Sequence, residues 1–122
     1  MKLVICEKPS VGAAVAAALG VTGRKDGYIE GNGYLISWCI GHLVQLSEAA
    51  AYGEQYRKWS YDSLPILPQE WQYTVAADKG KQFKILKDLM HRADVSEVVN
   101  ACDAGREGEL IFRFVYHQAG CK

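Results

Sequence analysis

The sequence predicts an α/β fold, a mainly parallel sheet flanked by helices. Near each end of the chain a short apolar run, Lys2-Leu3-Val4-Ile5-Cys6 and then Val95 to Val99, is followed within a few residues by a helical pattern. Strands that alternate with helices build parallel sheets. Between them, two β-rich runs flank Gly31-Asn32-Gly33 and read as a hairpin.

The first run is rich in β-branched residues and reads as a buried strand. It ends in Glu7-Lys8-Pro9-Ser10, and a helix should follow with Ser10 as N-cap and Val11 to Leu19 as its body. Pro9 then precedes the cap, where it breaks nothing. The hairpin joins Tyr28-Ile29-Glu30 to the run Tyr34 to Ile40, near residues 28–40, as an insertion between the first helix and the next parallel strand. Ser47 to Tyr52 suggests a short helix, and the stretch on to Leu67 an irregular loop packed over the sheet. Tyr52, Tyr56, Trp59 and Tyr61 interleave there with Arg57 and Lys58, a pattern that can also stack nucleic-acid bases.

Pro65-Ile66-Leu67-Pro68 is a rigid connector, and Trp71 to Val75 alternates like a strand. Lys79 to His91 carries Phe83, Ile85, Leu86, Leu89 and Met90 at helical spacing, with Lys81, Lys84 and Lys87 as a solvated face. The amphipathic run from Glu107 to Gln118 is a last helix, stopped at Gly120.

At 122 residues the chain is one domain. Its 14 basic and 14 acidic residues cancel, which argues mildly against tight autonomous binding of nucleic acid. The four cysteines, Cys6, Cys39, Cys102 and Cys121, form no C-x-x-C pair. Three lie in or beside apolar runs, so buried free thiols in a reducing, cytoplasmic setting are expected. A strand bearing Lys2 and Glu7 opens the chain, so no signal peptide is expected. No apolar stretch approaches the about 18 residues of a membrane span. The region from Gly12 to Gly23 has neither the dinucleotide-binding nor the Walker glycine spacing.

The chemistry concentrates in Asn100-Ala101-Cys102-Asp103-Ala104-Gly105-Arg106-Glu107-Gly108-Glu109-Leu110-Ile111. Three carboxylates and an arginine stand at the carboxyl end of a strand, where open α/β sheets bind ligands. Asp103 and Glu107 are four apart and share a face if the helix starts early. Oxygen-only ligands, with no His or Cys at metal spacing, point to Mg²⁺. Ordinary capping of the helix by Asp and Glu is the alternative. If the first and last strands are neighbours, Glu7, Asp103 and Glu107 converge on one rim.

Strand-Glu7-Lys8-Pro9-Ser10, Gly41-His42-Leu43 and Asp103-x-x-Arg106-Glu107-Gly108-Glu109-Leu110-Ile111 together resemble the Toprim domain of type IA DNA topoisomerases, nearest the topoisomerase III branch. The resemblance runs from about Met1 to Gln118. It implies a Toprim, Rossmann-like sheet that binds Mg²⁺ and supports cleavage and religation of single-stranded DNA. The attacking tyrosine would lie in a downstream domain, so the isolated chain should be inactive. Glu7 would be the general acid and, with Asp103 and Glu107, a metal ligand. Lys8 and Arg106 would hold phosphate, with Arg106 open equally to a salt bridge in the acidic cluster. His42 would lie near the phosphates, or else pack as a loop histidine on Trp38 or Tyr34.

One position departs from the family pattern. Gly105 stands where an Asp-x-Asp-x-Glu arrangement places its second acid. Fewer carboxylates predict weaker Mg²⁺ binding, reinforced by DNA phosphate, or a substitute role for Glu109. Toprim domains normally continue into another strand after the last helix. Residues 1–122 therefore read as a single Toprim domain truncated from a longer topoisomerase, whose other domains would be partners in cis. Rival readings are a free-standing nuclease or primase-like Toprim module, and a non-catalytic binding module.

Overall fold

Residues Lys2–Cys6 form β1, which sits between two parallel neighbours in this computed structural model, described here for residues 1–121. Chain order continues through α1 (Pro9–Leu19), β2 (Gly23–Lys25), β3 (Tyr28–Gly31), β4 (Tyr34–Trp38) and β5 (Val44–Leu46). Then follow β6 (Tyr73–Val75), α2 (Gly80–Met90), β7 (Glu97–Ala101) and α3 (Arg106–Gln118). The main sheet has the order β2-β3-β4-β1-β7, and β5 pairs with β6 in a separate two-stranded sheet.

Period-two alternation along β1 sorts the core onto two faces. Leu3 and Ile5 join Leu35, Leu86, Leu89, Ile111, Phe112 and Val115, so α2 and α3 cover one face. Val4 and Cys6 join Ala16, Val21, Ile29 and Ile36, so α1 covers the other. Such double coverage lets β1 be a continuous apolar run. Gln82 of α2 is buried, yet satisfied: its amide donates to the Trp38 carbonyl at 2.8 Å and to Ser37 Oγ at 3.3 Å. These bonds fix α2 against the sheet.

The expected α/β architecture is present, with three local corrections. The first helix begins at Pro9, with Lys8 and not Ser10 in the N-cap position. Pro9 takes the first helical place, where its missing N–H is no loss. The hairpin is no insertion, because its second strand β4 is itself the parallel neighbour of β1. Asn32 and Gly33, at φ 50° and 82°, make the tight turn that Asn-Gly favours, and β2 extends the antiparallel side.

The third correction concerns residues 45–67. They do not pack over the sheet: Trp59 is 84% exposed and Leu67 80%. Helices already occupy both faces, so the segment arches away in short 3-10 turns at Ala49–Tyr52, Glu54–Tyr56 and Tyr61–Ser63. The lysines Lys81, Lys84 and Lys87 are solvent-exposed, as their spacing implied. All four cysteines are free thiols. Among the described residues no helix is long and apolar enough to cross a membrane.

Candidate functional site at the carboxyl rim of the sheet

The parallel register sets Cys6 opposite Ala101, so β1 and β7 end at one level. Glu7 leaves β1 there, and Cys102-Asp103 leaves β7. Both strands are held by buried neighbours, so the rim carboxylates hang from fixed backbone. The convergence expected from neighbouring strands is realised for Glu7 and Asp103. A side-chain hydrogen bond to Asp103 is the main reason the Glu7 carboxyl is held above the ordinary carboxylate range, with partial desolvation and the Asp103 charge adding to it. Lys8 pulls the other way. A carboxyl held above its usual range beside a second carboxyl is a natural seat for a proton or a cation.

Asp103 and Glu107 do not share a helix face. The helix α3 starts only at Arg106, and Asp103 sits in the loop before it. Asp103 is not the N-cap either, because Gly105 occupies that position and no side chain caps, whereas Glu107 and Glu109 do lie in the first turn, as the macrodipole favours. Asp103 is held instead by a tight turn, in which the Gly105 N–H donates to its carbonyl at 2.8 Å. Glu107, in the first turn of α3, is hydrogen-bonded to His42 Nε2. His42 thus reaches the acidic cluster through Glu107. Lys79 Nζ donates to the His42 carbonyl at 3.4 Å and steadies that loop.

Glu109 faces different company. Asn100 Nδ2 donates to its Oε2 at 2.9 Å and Arg113 Nε to its Oε1 at 2.8 Å. Lys8 and Arg106 are exposed, and among the described residues neither forms an ion pair. Two cations thus flank the carboxylates with their charge uncommitted. That arrangement suits an anionic ligand bridging the rim.

Sequence reasoning missed Gly108. A Cβ there would stand 2.0 Å from the Asp103 carbonyl oxygen, so only glycine lets the first turn of α3 close on the Asp103 loop. The available signal was a glycine inside an amphipathic helix, which costs helix propensity and implies a close approach. Lys79 carried no such signal. Gly105, by contrast, has an extended φ of −168° and nothing within 4 Å of where a Cβ would go.

The donor set tests the expected Mg²⁺. Among the described residues no three His, Cys, Asp or Glu side chains gather into a metal cage. Mg²⁺ does not demand one: it keeps several waters and is held by one or two carboxylates plus substrate phosphate. The hydrogen-bonded Glu7–Asp103 pair, all-oxygen and at an open rim, fits that mode.

Known relatives align with nearly the whole of the chain. The chain is 46% identical to the DNA topoisomerase 3 of Shouchella clausii over 121 residues, 99% of this chain and 17% of that protein. It is 43% identical to that of Bacillus anthracis over 113 residues and 42% to that of Bacillus licheniformis over 117. These cover 93% and 96% of this chain and 16% of each relative, so the chain spans about a sixth of the proteins it matches. Residues 2–121 match the Toprim domain, and the chain belongs to the Toprim family.

Proposed function

We propose that this chain is the Toprim module of a topoisomerase 3-like type IA enzyme, supporting Mg²⁺-dependent cleavage and religation of single-stranded DNA in the cytoplasm. The observation that carries the reading is the Glu7–Asp103 carboxyl pair at the joined ends of β1 and β7, in a chain related to DNA topoisomerases 3. The nucleophilic tyrosine belongs to the rest of the longer protein. The seven tyrosines of this chain lie in hairpin, loop, strand or helix settings away from that role.

Glu7 is the general acid. Its hydrogen bond with Asp103 favours the protonated carboxyl, which can protonate the departing sugar oxygen when the DNA strand breaks. Lys8, on the next residue, sets a point charge beside the phosphate, and Arg106 can fork onto a second oxygen. His42 holds Glu107 in place through their hydrogen bond. Asp103 and Glu107, with Glu7 beside them, would hold Mg²⁺, which when bound supplies charge neutralisation at the phosphate and positions the ends for resealing.

The test is a spliced enzyme in which this chain replaces the matching 121 residues of the Shouchella clausii protein. Mg²⁺-dependent cleavage of a single-stranded oligonucleotide is expected, and Glu7→Gln should lower its rate roughly 10²–10⁴-fold. Cleavage that survives Glu7→Gln unchanged would remove Glu7 from the mechanism. The 122-residue chain alone should neither cleave nor relax DNA. A covalent tyrosine–DNA adduct on the isolated chain contradicts the placement of the nucleophile elsewhere.

A further inference from the structure

We propose that Asn100, Glu109 and Arg113 form a hydrogen-bonded brace that positions the Asp103 loop at the rim, with Glu109 a positioning residue and no metal ligand. The inference rests on the reading of the rim as the reactive site. Three hydrogen bonds carry it. The Cys102 N–H donates to Asn100 Oδ1 at 3.1 Å. Asn100 Nδ2 donates to Glu109 Oε2 at 2.9 Å, and Arg113 Nε donates to Glu109 Oε1 at 2.8 Å. The brace therefore runs from α3 to β7 and ends on the backbone of the residue before Asp103.

The edge of the sheet makes such a brace necessary. Strand β7 pairs only with β1, and their ladder ends at Ala101. The next backbone N–H, on Cys102, needs a partner from elsewhere, and Asn100 supplies it. Val98 and Asn100 lie on one face of β7, and Val98 packs in the core that α3 covers. The Asn100 amide accepts at its oxygen and donates at its nitrogen, so it cannot turn over without losing both bonds. Glu109 is equally committed, with both oxygens accepting and its charge met by Arg113. The Arg113 guanidinium in turn lies over the Phe112 and Tyr116 rings, at 5.3 and 5.7 Å from their centroids. On the far side of the loop, the Gly105 N–H donates to the Asp103 carbonyl, so Asp103 is held from both sides.

Chemistry separates a brace from a ligand. A brace acts through the donor–acceptor match of Asn100 with Glu109. A Mg²⁺ ligand acts through its negative oxygen. Glu109→Gln removes the charge and sets an amide NH₂ against either Asn100 Nδ2 or Arg113. Asn100→Asp sets two carboxylates face to face. Combined, the two substitutions restore one donor and one acceptor, with the direction of the bond reversed. An oxygen remains for the Cys102 N–H and another for Arg113. The combination rescues a brace. It does not rescue a metal ligand, because the negative charge stays away from position 109.

The wild type, each single variant and the double variant are compared first as isolated chains without Mg²⁺. Asn100, Glu109 and Arg113 are exposed, so every variant should fold and melt near the wild type. The backbone amide NMR signals of Cys102 and Asp103 should move in each single variant and return toward the wild type in the double variant. In the spliced enzyme, cleavage of a single-stranded oligonucleotide should fall roughly 10–100-fold in each single variant, the usual cost of losing a partner behind a ligating carboxylate, and recover in the double variant. Unmoved amide signals in both single variants overturn the proposal. So does a double variant whose amide signals recover while its cleavage rate and Mg²⁺ requirement stay at those of Glu109→Gln, a result that makes Glu109 a metal ligand. The NMR comparison needs neither Mg²⁺ nor cleavage. Recovered signals beside a spliced enzyme that never cleaves, even with Asn100 and Glu109 intact, sink the proposed function and leave the bracing of the Asp103 loop standing.

Discussion

At the rim, the acidic residues hang from strand and helix ends whose places are set by burial on both faces of the sheet. In the arch, the large side chains have hardly any burial behind them, and local hydrogen bonds set the path. The rim is therefore positioned by the whole fold, whereas the arch keeps its shape almost independently of it. A rigid backbone under the rim carboxylates suits precise placement of those groups. The contrast can be broken or sharpened by substitution.

The largest effect should separate the two regions outright. Ile5 is fully buried beneath the rim, and Ile5→Ala should cost about 2–5 kcal/mol of stability through lost burial and the cavity left behind. Trp59→Ala removes a larger side chain but should change the stability of the isolated chain by no more than about 0.5 kcal/mol, because the position is surface. Chemical denaturation of both variants checks this. Similar losses would mean that the arch is packed into the fold.

Next comes Gly108→Ala. The added methyl meets the Asp103 backbone, and the loop must give way. A cost of about 1–3 kcal/mol is expected, as for other overpacked sites. The NMR shifts of Asp103 and Glu7 should move together, since their hydrogen bond depends on that loop. Unchanged shifts at both residues would show that the close approach does not position the carboxylates.

Much of the rim was legible in the sequence, because apolar runs announce strands and the carboxyl ends of parallel strands announce sites. The pairing of Glu7 with Asp103 followed from one further assumption, that β1 and β7 are neighbours. What was not legible depended on exact helix starts. Four-residue spacing placed Asp103 and Glu107 on one helix face, but the glycine at position 105 delays the helix to Arg106 and leaves Asp103 in a turn. The His42–Glu107 pair was equally hidden, since 65 residues separate its members in sequence. The arch was misread for the opposite reason. Its aromatics look like core residues by composition, and only the coverage of both sheet faces by helices shows that no core is left for them.

A smaller effect tests the raised Glu7 carboxyl at the rim. The folded-state value of Glu7 lies above its ordinary value, so the fold binds that proton more tightly than the unfolded chain does. The pair's contribution is complete below the ordinary carboxyl range and is lost as pH rises through the raised folded value. Glu7→Gln copies the protonated form at every pH. With divalent cations chelated, the variant should melt above the wild type at neutral pH, and the gap should close on acidification. A gap independent of pH would mean that the Glu7 carboxyl is not held above its ordinary range.

The gentlest change is Gly105→Asp, which restores the carboxylate that the family pattern places there. Open space around the position and its extended backbone mean that the side chain enters without strain. Asp is also a better N-cap than Gly, though only by a few tenths of a kcal/mol, so stability should rise slightly or not at all. The informative quantity is Mg²⁺ affinity, measured by calorimetric titration of the isolated chain. A third oxygen donor next to Asp103 and Glu107 should tighten binding several-fold if the rim is where the cation sits. If affinity is unchanged while the fold is intact, the cation is not held between β1 and β7, and the uncommitted charges of Lys8 and Arg106 become the rim's main means of gripping phosphate.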